Sequence, residues 1–180
     1  LVDREKEIRQ ITLALSKSEE AHVIIVGDEG VGKHTIIEGL AKRIYEGKIN
    51  PLLAYKRILK LDIEQIISQS VDVSQKEALL KSIFHEAQSA GNIILCIDNF
   101  DKYISGVSSD RIDLTTTIAP FVRSGRVQFI GITTPFFYQK FVMPNDTVHR
   151  FFEKIDVYEI RVPEAMEVLM KAVFDMEYRF

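Results

Sequence analysis

The stretch that most limits how this chain can fold is VIIVGDEGVGKHTIIEGLA, residues 23–41. An apolar run leads into a glycine-rich loop, then a lysine, then an amphipathic segment. Gly27 to Lys33 satisfy the spacing G-x-x-x-x-G-K, and a strand before it and a helix after it are the context that spacing requires. Glycine lets the backbone curl so that successive N–H groups converge on one point. The start of the following helix adds partial positive charge there. Asp28, Glu29, Gly30, Val31 and Gly32 would form a cradle for phosphate oxygens. Lys33 would reach the terminal phosphates, and His34 and Thr35 open the helix.

The rest of the chain supplies the layers around that loop. Residues 4–17 space Ile8, Ile11, Leu13 and Leu15 close to helical periodicity. Strands are expected at 22–27, 56–63, 92–98, 127–133 and 155–162. Helices are expected at 33–47, at 74–90 with Ser74 and Glu77 as a capping box, at about 111–123, briefly at 137–142, and at 163–178. The central strands are continuously apolar and β-branched rather than alternating. That pattern belongs to a parallel sheet covered on both faces, whose function sits at the carboxyl ends of its strands.

Two positions break the chemistry that the loop promises. Where the spacing calls for serine or threonine after the lysine, to ligate Mg²⁺, this chain has His34. A hard cation prefers oxygen, and imidazole is a poor substitute. Thr35 points about 100° away around the helix and cannot simply take over. The second position follows IILCIDNFDKYI, an apolar strand ending in Asp98. Such an aspartate serves magnesium. The next position ordinarily carries a glutamate that polarises the attacking water, and here it is Asn99. An amide can hydrogen-bond a water but cannot take its proton. Asp101, two residues on, reads either as a helix cap or as an acid leaning toward the site.

Composition narrows the alternatives. A net charge of −3 gives no basic footprint for nucleic acid. No apolar run reaches the length of a membrane span. The lone Cys96 sits in an apolar run as a core thiol, and having no partner fits a reducing, cytoplasmic compartment. His22, His85 and His149 show no ligand spacing for zinc. The chain begins at Leu1 and is read as a fragment of something longer.

The ordered set of segments resembles the first ATPase module of Clp-type AAA+ unfoldases, ring-forming protein-remodelling machines. VDREKEI at 2–8, with Asp3 where glycine is usual, is similar to that family's opening motif. GDEGVGKHTIIEGLAKRIYEGKIN, ILKLDI, NIILCID, APFVRSGRVQFIGITT, VHRFF and RVPEAMEVL follow in the family's order. The resemblance covers nearly all 180 residues. It implies a single αβα P-loop NTPase domain over 1–180, the AAA+ large subdomain, with a five-stranded, mostly parallel sheet and without the family's helical lid. It further implies ATP or ADP as ligand, with Val2 and Ile8 near the adenine. Thr133 or Thr134 would be the polar sensor at the fourth strand's end. Arg150 would reach a neighbouring subunit's nucleotide, so other AAA+ subunits in a ring are the implied partners, with protein clients beyond them.

The departures from that family are as informative. His34, Asn99 and Phe151 replace the magnesium hydroxyl, the catalytic glutamate and a second finger arginine. The region matching the pore loop, ISQSVDVSQKEALL, has no aromatic residue. The expected function is an ATP-binding module of a Clp-like unfoldase with weakened hydrolysis. The alternatives are an active ATPase in which Asp101 or a partner subunit compensates, and a scaffold that binds no nucleotide.

Overall fold

The computed structural model describes residues 4–19, 21–104, 112–159 and 169–173. In chain order the elements are α1 (Glu5–Leu15), β1 (His22–Val26), α2 (Lys33–Tyr45), a 3₁₀ turn (Pro51–Leu53), β2 (Arg57–Lys60), α3 (Ile63–Ser68) and α4 (Val73–Ala90). They continue with β3 (Ile93–Ile97), α5 (Phe100–Ile104), α6 (Leu114–Ser124), β4 (Gln128–Thr133), α7 (Pro135–Phe137), α8 (Asp146–Phe151) and β5 (Phe152–Asp156). The strands form one sheet in the order β2-β3-β4-β1-β5. All four neighbouring pairs run parallel, so every carboxyl end lies on the same edge of the sheet.

The sheet divides the core into two layers, and strand periodicity sorts the side chains. Ile24, Val26, Leu95, Ile97 and Phe129 face one side, where they meet Ile63, Leu80, Phe84, Phe100, Ile118 and Val148. Val23, Ile25, Ile94, Cys96, Ile130 and Ile132 face the other, against Ile8, Ile11, Ile36, Leu40 and Ile44 of α1 and α2. The three central strands are buried along their whole length. The edge strand β2 is largely exposed. Continuous apolar runs in the sequence are therefore strands covered twice, as expected for a parallel sheet.

His22 begins β1 inside this core. Its Nε2–H donates to the Val122 carbonyl at 2.8 Å, and its Nδ1 accepts from the Phe129 amide at 3.2 Å. Both ring nitrogens are used by a neutral imidazole, and burial holds its pKa below the ordinary value.

Several expected boundaries move, each for a local reason. α4 begins one residue early, because Asp72 rather than Ser74 is its cap: the carboxylate accepts from the Ser74 amide at 3.2 Å, and the capping box does not form. The strand expected over 56–63 stops at Lys60. Asp62 accepts from the Gln65 amide at 3.0 Å and turns the next residues into α3, which the sequence reading did not foresee. α6 starts at Leu114, where Asp113 caps through the Thr115 amide at 2.9 Å. The expected helix at 137–142 is a short turn from Pro135 that widens into a π-turn, with the Met143 amide donating to the Tyr138 carbonyl at 3.0 Å. The last strand starts at Phe152 rather than 155 and ends at Asp156, and residues 160–162 of that expectation lie outside the described residues. Of the closing helix expected over 163–178, residues 169–173 are described and are helical.

Candidate functional site

The carboxyl ends of β1, β3 and β4 are neighbours, with Val26 paired to Thr133 and Ile97 paired to Gly131. A cleft opens over these ends. Glu29, Gly30, Gly32, Lys33, His34, Thr35, Asp98, Asn99, Ile132, Thr133 and Thr134 line it. Three distant segments, the loop after β1, the turn after β3 and the end of β4, are thus brought to one place.

The loop is shaped for this position. Gly30 and Gly32 have φ of +81° and +100°, values that strain any residue with a β-carbon. Gly32 is also the N-terminal cap of α2, and it offers no side-chain acceptor. The first amides of α2, unlike those of α3, α4 and α6, are left without a carboxylate cap, and first-turn amides have no acceptor within their own helix. Lys33 is buried, and its ammonium donates to the Gly27 carbonyl and, at 3.2 Å, to the Thr133 carbonyl. The lysine is therefore folded back between the loop and the end of β4.

Arg4 braces the loop from below. It is buried, and its guanidinium donates to the Val31 carbonyl and, at 2.8 Å, to the Tyr158 carbonyl. One side chain so ties the start of α1, the loop and the chain after β5 together. It was not singled out from the sequence. The only available signal was an arginine at the head of a helix whose apolar face is buried.

The acidic turn differs from a simple magnesium site. Asp98 Oδ1 accepts from the Asn99 amide at 2.9 Å, and Oδ2 lies 2.9 Å from His34 Nε2. Both carboxylate oxygens already have protein donors, and the helix position that would offer a hydroxyl offers an imidazole. This donor set suits a hard divalent cation poorly, because position 34 offers a nitrogen instead of an oxygen and His34 sits against Asp98. The His34–Asp98 contact is itself weak, because the side chains are 56% and 31% exposed, and such surface pairs contribute about 0–1 kcal/mol.

Asn99 is the single non-glycine with positive φ among the described residues, at 49°. Asparagine tolerates this left-handed conformation better than most residues. A glutamate at 99 would bear a conformational cost there that asparagine largely avoids.

The sequence left Asp101 open between a helix cap and an acid leaning toward the site. It caps no helix. It sits within α5, buried, and accepts from the Thr133 hydroxyl at 2.7 Å. Burial raises its pKa, while the Thr133 hydroxyl, its own backbone and Lys33 pull the other way. The signal in the sequence was its spacing: Asp101 is three residues past Asp98, one turn into a helix that starts at the strand's end.

The remaining expected residues divide clearly. Thr134 lines the cleft and caps α7, its hydroxyl accepting from the Phe137 amide at 3.5 Å. Asp28 is exposed, and Val31 is buried in the α1–α2 layer. Ile8 has no exposed surface and packs in that same layer, outside the wall of the cleft. Arg150 lies exposed on α8, away from the cleft lining, with its guanidinium 5.5 Å from the Phe151 ring centre. Val2 lies outside the described residues. Cys96 is a buried thiol whose pKa burial pushes up to about 12, an inert core position as expected. No group of three or more metal-ligating side chains exists among the described residues. No helix among them is long and apolar enough to cross a membrane.

A parallel αβα sheet whose first strand runs through a glycine loop onto a lysine-headed helix defines a P-loop NTPase-like fold. More specifically, the chain belongs to the ATPase family associated with various cellular activities (AAA), whose profile matches residues 23–158. It is 32% identical over 170 residues to the Bacillus subtilis (strain 168) negative regulator of genetic competence ClpC/MecB. It is 31% identical over 170 residues to the chaperone protein ClpB of Oceanobacillus iheyensis. These matches take in 94% of this chain and 21% of each relative, so the chain spans about a fifth of their length. Among solved structures, the S. cerevisiae Hsp104–ADP complex matches with a TM-score of 0.79 at 26% identity, over 93% of this chain and 29% of that one. A closed-state reconstruction of Hsp104 with ATPγS and FITC casein matches with a TM-score of 0.81 at 26% identity, over 93% of this chain and 28% of that one. The fold and family are thus those of the AAA+ modules found in Clp and Hsp104 proteins.

Proposed function

We propose that residues 1–180 form one nucleotide-holding AAA+ large subdomain of a Clp-like protein-remodelling machine, with hydrolysis weakened. The observation that carries this is the contrast within one cleft. The loop, its buried lysine and the uncapped amides of α2 are intact, while Asp98 is engaged by His34 and the Asn99 amide. The loop and Lys33 would hold the phosphates of ATP or ADP. Thr35, at the exposed start of α2, adds a polar group beside them. Asn99 would hydrogen-bond a water without accepting its proton, and loss of a general base costs about 10²–10⁴-fold in rate. Magnesium would contribute little to affinity, and no step depends on it here.

This reading extends to partners by similarity. The solved Hsp104 complexes hold ADP, or ATPγS with casein. A module of this kind would assemble with other AAA+ subunits in a ring, present Arg150 to a neighbour and act on protein clients, with nucleotide as an assembly ligand. Its place would be the cytoplasm.

Calorimetric titration with ATP and with ADP, each with and without Mg²⁺, tests it. The expected result is binding that Lys33→Ala abolishes and that magnesium changes by less than about threefold, under 1 kcal/mol. His34→Thr, which releases Asp98 and supplies a hydroxyl, should make affinity magnesium-dependent. No binding in any of the four conditions would overturn the proposal in favour of a scaffold that keeps the fold without the ligand.

A further inference from the structure

We infer that Asp101, acting through the Thr133 hydroxyl, takes over the proton-accepting role that Asn99 cannot perform, so that slow ATP hydrolysis at this site runs through a Thr133–Asp101 relay. The inference rests on the nucleotide-binding reading above and concerns what the same cleft does with ATP once it is bound.

Three features carry it. First, Thr133 ends β4 in the wall of the cleft, and its hydroxyl is 2.7 Å from Asp101 Oδ1. A hydroxyl has one proton to give, and an ionised carboxylate can only accept. The Thr133 proton is therefore committed to Asp101, and the oxygen is left with lone pairs. Such an oxygen repels phosphate oxygens and accepts a hydrogen bond from a water. Second, Asp101 is 7% exposed and its carboxylate is held at the base of the same strand ends that present Lys33. Desolvation raises its basicity, whereas Asp98 is 31% exposed and beside His34. Third, Asn99 sits in a left-handed turn that offers an amide to the cleft and no base. Among the residues lining the cleft, Glu29 and Asp98 are the carboxylates, and Glu29 stands exposed on the loop.

The step balances without any further reagent. A water oxygen bonds to the γ-phosphorus of ATP as the bond from that phosphorus to the bridging β-oxygen breaks. The water's proton passes to Thr133 Oγ1 while the proton already on Thr133 moves to Asp101 Oδ1. ADP and phosphate leave, and Asp101 returns its proton to solvent. Thr133 touches the reacting water, and Asp101 is the positioning residue behind it.

The test is made on the full-length protein. Lys33→Ala defines any turnover that does not come from this site, and ATP binding is measured on every variant. Asp101→Asn keeps the size of the side chain and an oxygen that can accept from Thr133, but cannot take up a proton. It should lower the Lys33-dependent kcat by at least about 100-fold with KM and ATP affinity unchanged within about twofold. Thr133→Val should lose the same turnover, and Thr133→Ser, which retains the hydroxyl, should recover it relative to valine. If Asp101 serves only to latch α5 to β4, Asp101→Asn and wild type will turn over alike, and the relay is overturned. It is equally overturned if the wild type binds ATP with no Lys33-dependent turnover. Failure of the wild type to bind ATP would instead remove the nucleotide-binding reading, and the relay with it.

Discussion

Gly131→Ala probes how the core holds the acidic turn in place. Gly131 lies in β4, paired to Ile24 on one side and Ile97 on the other, so its backbone is pinned by two neighbouring strands. A β-carbon there would stand 2.8 Å from Phe100 Cδ1, 3.0 Å from Cγ and 3.2 Å from Cβ. Carbon atoms in favourable contact lie about 3.5–4.0 Å apart, so the ring would have to retreat by roughly 0.7 Å or more. It has little room to do so. Phe100 is fully buried and stacks on Phe152 with ring centres 5.4 Å apart. Overpacking of this kind costs about 1–3 kcal/mol. Urea unfolding of Gly131→Ala should show a lower midpoint with an unchanged slope. Phe100→Leu trims the ring and alone costs about 1–2 kcal/mol. The double variant should lose less than the sum of the two by at least about 0.5 kcal/mol, because the smaller side chain makes room for the methyl group. Since Phe100 lies between Asn99 and Asp101, the displaced ring also shifts the acidic turn, and ATP affinity should fall in Gly131→Ala and recover in the double variant. Strictly additive costs would refute the view that Gly131 exists to admit Phe100.

Two further outcomes test the local reasoning. The depressed pKa of His22 means that the stability contributed by its neutral ring is fully present above its ordinary value of 6.5 and is lost as pH falls through the folded value. Protonation would also set an Nδ1–H against the Phe129 amide that now donates to it. Urea stability should therefore decline as pH falls from 6.5 toward the folded value, with a slope of at most about 1.4 kcal/mol per pH unit from this ring, and His22→Gln should flatten it. At the head of α4, Asp72→Ala should cost about 1 kcal/mol while Ser74→Ala costs only a few tenths, and the reverse order would restore the capping box.

What could be read from the residues was whatever depends on short-range spacing. The seven-residue loop from Gly27 to Lys33, the β-branched runs of β1, β3 and β4, and the periodicity of α1, α2 and α4 each declare themselves within a few turns of chain. Together they demand a parallel sheet with helices on both faces, and that architecture is present. That His34 stands where a hydroxyl is expected, and Asn99 where a glutamate is expected, was equally visible, because each sits at a fixed offset from Lys33 or Asp98.

Tertiary structure decided what depends on which distant groups meet. Nothing local distinguishes Asp101 as a cap from Asp101 as the partner of Thr133, since the hydrogen bond spans 32 positions and needs α5 and β4 to lie side by side. Arg4 reaches the loop carbonyl at Val31 only because α1 packs on α2, and His34 meets Asp98 only because β1 and β3 flank β4. That Ile8 packs fully buried between α1 and α2 was likewise decided by the fold. Even the cap of α4 was settled by geometry, between two residues that both suit the role. Spacing along the chain fixes which elements form, because their hydrogen bonds and faces are local. Strand order fixes which side chains share the cleft, because that is set by the single arrangement that buries both faces of the sheet.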